Sequence, residues 1–377
     1  MLLCILCASL LAADSVSTTD AVLSGWRFAA WTAYGRIVPH TIKFRPSVDD
    51  PYVATELNIS RQTRGTKAWQ STYRYPAVGL ALSASRLGND SILGQAWGAF
   101  PFVELPLAGW KNRSLQPKGF SLTFRLGSGL AWLTRWYDPE TNPDNNVIPA
   151  RLNNITQFQV TAEYRISRQW AVGTGLALTH YSSGAVRVPN LGINIPSARL
   201  GLSWQPSPWQ PRQFLEPELP ALPRRFTGYL QAGLGFQESY PPDGPQYHLI
   251  SLEAAAGCWL GRKNVLSAGI IGHFKESSWA FIHLNEFYSD KFFLHSLAAA
   301  PFLRDDIVIG NIGVALTAGY FVYAPSPQQI RFFQRIGWYY DVPLSNNPYI
   351  NRLALGVYLT AGSFSADYVS VELGWHF

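Results

Sequence analysis

The chain has 377 residues, of which only 14% are charged and 14% aromatic (14 Trp, 18 Tyr, 21 Phe), with a mean hydropathy near zero. That balance fits poorly with a pair of ordinary soluble domains and suits a transmembrane β-barrel, whose alternating strands dilute their hydrophobicity and whose rims carry aromatics. Beyond the N-terminus no run of about 18 apolar residues occurs, which argues against membrane helices, and the net charge of +6 is spread out rather than striped with stacking aromatics, which argues against nucleic acid as a partner.

In chain order, residues 1–13 read as the apolar core of a secretory signal peptide, too short to span, with cleavage near Ala13. Its removal takes Cys4 and Cys7 and leaves Cys258 alone, so no intrachain disulfide is expected; Cys258 reads as a small wall residue. Alternation then predicts strands over Trp26–Ile37, Tyr52–Gln62, Tyr73–Ser85, Gln95–Leu105, Phe120–Thr134, Thr156–Ile166, Gln169–Ser182 and Ile195–Trp204. In the fifth segment Phe120, Leu122, Phe124, Leu126 and Trp132 oppose Ser121, Thr123, Arg125 and Gly127, one greasy face against one polar. The same parity points Glu163 and Arg165 into the lumen, where they are expected to pair.

Prolines 206, 208, 217, 220 and 223 interrupt the pattern, because proline removes a ladder donor, and make residues 206–225 a connection. Strand-like segments resume at Phe226–Gln237, Tyr247–Leu260, Val265–Lys275, Trp279–Asn285, Phe292–Leu303, Val308–Tyr323, Ile330–Tyr340, Leu353–Phe364 and Asp367–Phe377. The last sets Val369, Val371, Leu373, Trp375 and Phe377 against Ser370, Glu372, Gly374 and His376. Ending on an aromatic, it resembles the terminal signal of Gram-negative outer-membrane barrels, which implies the barrel-assembly machinery as a partner. The expected fold is all-β: a single antiparallel outer-membrane β-barrel of about 12–16 strands, with barrel strands over 14–205 and 226–377. The alternative is a smaller barrel followed by a second β unit.

The candidate site ends the seventh segment. His180 and Ser182 share the face of Trp170, Val172, Leu176 and Leu178, opposite Ala171, Gly173, Gly175 and Ala177. If the bulky face meets hydrocarbon, a potential base and nucleophile sit at the rim of a lipid-contacting wall, two strand rises or roughly 7 Å apart, and a lipid ester is the natural substrate. If the mature chain starts in the periplasm, odd-numbered strands rise outward and the seventh delivers the pair to the outer leaflet. The competing reading is a polar strand end meeting water, with Gly184, Pro189 and Gly192 only shaping the loop. His40 reads as a turn or girdle residue, and the remaining histidines lack metal-ligand spacing.

The run His180-Tyr181-Ser182-Ser183-Gly184-Ala185 with Pro189-Asn190-Leu191-Gly192-Ile193-Asn194 resembles the signature of the lipid A deacylases of the PagL-type acyloxyacyl hydrolase family. Ile37–Thr41, Thr66–Gln70, Tyr75–Gly79 and Asn142–Asn146 look like further blocks of its larger members, so the likeness spans about residues 25–205, and 226–377 look like their C-terminal extension. The resemblance implies an outer-membrane serine esterase that removes an ester-linked acyl chain from lipid A of lipopolysaccharide, with outer-membrane lipids as surroundings and neither metal nor cofactor. By the same resemblance Ser182 is the nucleophile, His180 the general base, and Asn190 a donor to the oxyanion. Two positions depart from the pattern. The third triad member, a carboxylate fourteen residues after the histidine, is here Asn194, an amide that orients imidazole without offsetting its charge, so lower activity is expected; its parity with Leu200, Leu202 and Trp204 points it outward. Ser183 stands where the family has Asn, a change expected either to weaken oxyanion binding or to shift the nucleophile's role. The rival class is a non-enzymatic barrel, a channel or membrane-anchored binding protein carrying a degenerate site.

Overall fold

The computed structural model describes residues 23–109, 119–210, 213–219, 222, 226–239, 241–288, 291–344, 351–362 and 365–377. The signal-peptide segment 1–13 lies outside them. The chain is all antiparallel β and divides into two compact units, one reaching to Ser183 with Pro189–Glu218, the other made of Gly184–Val188 with Leu219–Phe377. The first contains strands β1 (Trp26–Gly35), β2 (Tyr52–Gln62), β3 (Ala77–Arg86), β4 (Gln95–Ala108), β5 (Phe120–Leu133), β6 (Leu152–Arg165), β7 (Trp170–Ser182) and β8 (Ile193–Trp204), and it closes when β8 pairs with β1 from Phe28↔Trp204 to Gly35↔Ser197.

The second contains β9 (Phe226–Glu238), β10 (Gln246–Trp259), β11 (Asn264–Lys275), β12 (Leu297–Ile309), β13 (Ile312–Tyr320), β14 (Phe332–Pro343), β15 (Arg352–Gly362) and β16 (Ser365–His376), closed by β16 against β9. Among the described residues the strands therefore number sixteen, within the expected range, but they form two eight-stranded barrels rather than one. The reason is local. The proline stretch cannot supply a rung after β8, so the edge of β8 is satisfied by returning to β1, and eight strands already enclose a lumen that side chains can fill.

Other expectations change too: Phe292–His295, expected to open a strand, is a short helix ahead of β12, and Val308–Tyr323 is divided by a turn at 310–311 between β12 and β13. Trp279–Asn285 is helix α2 (Glu276–Leu284) rather than a strand; its apolar residues run without alternation, and Trp279 and His283 stack one turn apart, ring centroids 5.2 Å. The strand expected over Tyr73–Ser85 does not open at Tyr73: residues 68–72 form helix α1 (Ala68–Thr72), and Arg74 and Tyr75 take positive φ of 59° and 57° before β3 starts at Ala77. The Pro-rich stretch packs on the Gln62 end of the first barrel, where Trp209 Nε1 donates to Gln62 O at 2.8 Å and Tyr75 Oη to Leu215 O at 3.1 Å.

The first wall faces outward with exposed Leu57, Leu82, Leu176 and Leu200, bounded by Phe120, Tyr164, Trp170 and Trp204 at one end and Tyr34, Trp97 and Trp132 at the other. An apolar band between aromatic rims is the profile of a surface solvated by lipid. The lumen inverts this. Glu56 accepts from Arg125 Nη2 at 2.7 Å and lies 2.9 Å from Arg199 Nη2, with Gln157 and Gln159 completing the network across the bore. Glu163 does point inward, and it pairs with Arg27, which also reaches Glu104 at 3.1 Å. In the second barrel Arg335 is held between Glu253 and Glu372, Arg304 pairs with Asp306 at 2.7 Å, and Arg352 pairs with Asp341.

Replacing Glu56 by Leu leaves two buried guanidinium groups without their shared carboxylate. Such a change costs about 3–5 kcal/mol, and urea unfolding of the full chain in detergent micelles is expected to show a loss of that size.

Candidate active site

The end of β7 and the start of β8 bring the site together. Because β8 turns back antiparallel to β7, Asn194 becomes the direct cross-strand partner of His180, although fourteen positions separate them. His180 Nδ1–H donates to Asn194 Oδ1 at 2.7 Å. A carboxamide oxygen only accepts, so the proton resides on Nδ1 and Nε2 carries the lone pair, the tautomer a general base needs.

The amide is itself oriented. Asn194 Nδ2 donates to His40 Nδ1 at 3.3 Å, so turning the amide over would set its NH2 against the imidazole of His180 and leave Oδ1 facing a lone pair. His40 is therefore a member of the site and more than a turn residue. It arrives there because the chain after β1 continues the ladder, with Val38 N–H donating to Asn194 O at 3.0 Å, and because Pro39 keeps Val38 extended. The sequence signal for its role was its place in the Ile37–Thr41 block; its partner was invisible until β1 and β8 closed the wall.

Gly192 makes room for the imidazole. It has φ of +74°, and a Cβ there would stand 2.8 Å from His180 Cε1. Gly192 N–H donates to Val147 O at 3.0 Å, and the adjoining Asn146 donates from Nδ2 to Lys43 O at 2.6 Å and accepts from Arg45 N–H at 3.2 Å. Asn142 and Asn145 both donate to Ile92 O, at 3.0 and 2.8 Å. The Asn142–Asn146 block thus ties three loops together above the wall and fixes the approach to β8.

Ser182 lies level with Asn154 of β6 and is buried, and among the described residues its hydroxyl takes no hydrogen-bond partner. The hydrogen bond between His180 and Ser182 is not formed in this conformation; such contacts commonly tighten only around substrate. Ser183 N–H donates to Asn190 Oδ1 at 2.9 Å. That bond occupies the amide proton of Ser183 and turns the Nδ2 end of Asn190 into the donor available to a ligand. Thr179 and Tyr181, of opposite parity, are buried inside the barrel.

A family model described as lipid A 3-O-deacylase (PagL) matches residues 54–203, and a second, described as acyloxyacyl hydrolase, C-terminal domain, matches residues 226–377. The chain belongs to the PagL-type acyloxyacyl hydrolase family. As a member of this family of lipid A deacylases it is an outer-membrane β-barrel protein, and the apolar walls between the aromatic rims are its bilayer-facing surfaces. Among solved structures, the outer membrane enzyme PagL aligns at 15% identity over 46% of this chain and 97% of its own, with a TM-score of 0.32. Neisserial surface protein A aligns at 7% over 48% and 97%, TM-score 0.31, and a triple mutant of Rhodopseudomonas blastica porin at 7% over 93% and 100%, TM-score 0.18. No curated protein matches.

Gly192→Ala is expected to push the His180 ring off Asn194. Misplacement of a reacting group by about 1 Å can cost on the order of 100-fold, so lipid A deacylation should fall at least tenfold while the protein retains its folded electrophoretic mobility before heating.

Proposed function

We propose that the first barrel is a serine esterase that hydrolyses an ester-linked acyl chain of lipid A, at the 3-O position named in the description of its family. The observation that carries this reading is the His180–Asn194 hydrogen bond on the outer wall, two residues along β7 from Ser182. In the first half-reaction the Ser182 hydroxyl passes its proton to His180 Nε2 as Oγ attacks the ester carbonyl. The resulting oxyanion takes the N–H of Asn190 Nδ2, a kind of contact worth about 3 kcal/mol. Collapse breaks the bond to the sugar oxygen, which leaves with the proton from Nε2, and the acyl group stays on Ser182. Water, deprotonated by Nε2, then attacks the acyl-serine, and the fatty acid and the serine hydroxyl are released.

Asn194 fits this scheme with a handicap. Loss of the carboxylate in the Ser-His-Asp enzymes costs about 10,000-fold, largely through the wrong imidazole tautomer. Here the lone pair of His40 supports the amide orientation that keeps the right one, so the remaining deficit is the uncompensated imidazolium charge. The channel alternative is disfavoured by both lumens, which are crossed by buried ion pairs.

Ser182→Ala should abolish acyl release, read as an unchanged lipid A mass spectrum in cells where the parent protein removes a chain, and should also remove labelling by a fluorophosphonate probe. Labelling that persists in the variant overturns the assignment. Asn194→Glu restores a charge opposite the imidazolium; an opposite charge at this range is worth about one to two pKa units, or roughly tenfold to 100-fold in rate. A rise in kcat of at least tenfold is expected in a detergent-micelle assay, with KM little changed.

A further inference from the structure

The row of the wall that holds His180 is polar across four adjacent strands, with Ser128 of β5 beside Thr156 of β6, Thr156 beside His180, and His180 beside Asn194. All four share the parity of the lipid-facing residues. The row below is wholly apolar: Leu126, Phe158, Leu178 and Pro196. One position above Thr156 on the same face, Asn154 stands opposite Ser182. The catalytic scheme uses neither Ser128, Asn154 nor Thr156, and a lipid-facing wall offers no reason to place three polar side chains where its neighbours carry Phe and Leu.

These three form a closed ring of hydrogen bonds. Asn154 Nδ2 donates to Ser128 Oγ at 3.1 Å, Ser128 and Thr156 hydroxyls are 2.9 Å apart, and Thr156 Oγ1 donates to Asn154 Oδ1 at 2.8 Å. Since the Thr156 proton goes to Asn154, the Ser128 proton goes to Thr156. The second Asn154 Nδ2 proton goes to Gly129 O at 3.0 Å. Every donor in the ring is thus consumed, while Thr156 Oγ1 and Asn154 Oδ1 each keep an unused lone pair. Ser128 is covered, and Thr156 and Asn154 are partly exposed on the lipid side.

A surface that offers only acceptors recognises donors and rejects anions. We propose that the Ser128–Asn154–Thr156 ring is a binding subsite for the neutral donors, a sugar hydroxyl or an amide N–H, that flank the scissile ester of a glycolipid. Asn154 stands directly across from Ser182, about 5 Å away, and Thr156 lies on the diagonal, about 7–8 Å away, so a pyranose ring reaches from the Asn154–Thr156 pair to Ser182 when the glycolipid lies across β6 and β7. The position of the subsite relative to the chemistry rests on the reading of Ser182 and His180 as the reacting pair.

The test measures binding, so it does not require turnover. The full chain carrying Ser182→Ala, in detergent micelles, is titrated with a fluorescent monosaccharide glycolipid bearing one amide-linked and one ester-linked chain, and with the methyl ester of the same acyl chain. Adding Thr156→Val, which keeps the side-chain shape, should weaken glycolipid binding about tenfold and change methyl-ester binding less than twofold; Thr156→Ser should restore the glycolipid value. Asn154→Ala should give the same split. Equal weakening for both lipids, or no weakening for either, overturns the subsite. Repeating the titration with the glycolipid amide N-methylated separates the donors: loss of the split names the amide, and its persistence names the hydroxyl. Failure of the esterase reading registers elsewhere, as hydrolysis that does not depend on Ser182 while the binding split persists.

Discussion

Hydrocarbon supplies no hydrogen bonds, and most of what is unusual in this protein follows from that. A strand edge left open in lipid carries a row of unpaired amides, so each run of eight strands closes on itself, and the charged side chains of alternating parity turn inward and neutralise one another. The Glu56 network with Arg125 and Arg199 is one product of that closure, and the Arg335 network with Glu253 and Glu372 is another. Filling the bore makes the barrel a rigid scaffold and moves any chemistry to the rim or the outer wall.

On the outer wall the same constraint organises the polar groups. His180 passes its Nδ1 proton to Asn194, Asn194 passes an amide proton to His40, and Ser128, Asn154 and Thr156 satisfy one another in a ring. Each of these side chains would be costly alone beside lipid, and each is held in one orientation because its partners leave no alternative. The arrangement keeps Nε2 of His180 as an acceptor and Nδ2 of Asn190 as a donor beside a serine hydroxyl that has no other engagement, a combination suited to acyl transfer on a substrate that remains in the membrane.

The second barrel matches the C-terminal model of the same family over its whole extent, and its described residues repeat the outer apolar and inner charged pattern, with no second site of the His180 kind among them. Among the described residues no group of His, Cys, Asp and Glu could hold a metal ion. Its separate closure explains why one chain yields two family matches with a proline-rich junction between them.

Alternation along the chain determined the all-β class, nearly every strand, and which residues of β5, β7 and β16 face lipid, because side-chain direction in a strand depends on parity alone. Parity also put His180 and Ser182 on the outer face. Short apolar runs without alternation were not decidable in this way, so Trp279–Asn285 read as a strand when local stacking makes it a helix. Closure could not be read either: whether β8 pairs with β1 or hands its edge to β9 depends on bore filling and on where rungs are missing, which are properties of the assembled wall. The partners of His180 and Thr156 belong to that class too. His40 reaches Asn194, and Ser128 reaches Thr156, only after strands far apart in sequence have come into register, since a hydrogen bond is set by distance in space and a sequence records only distance along the chain.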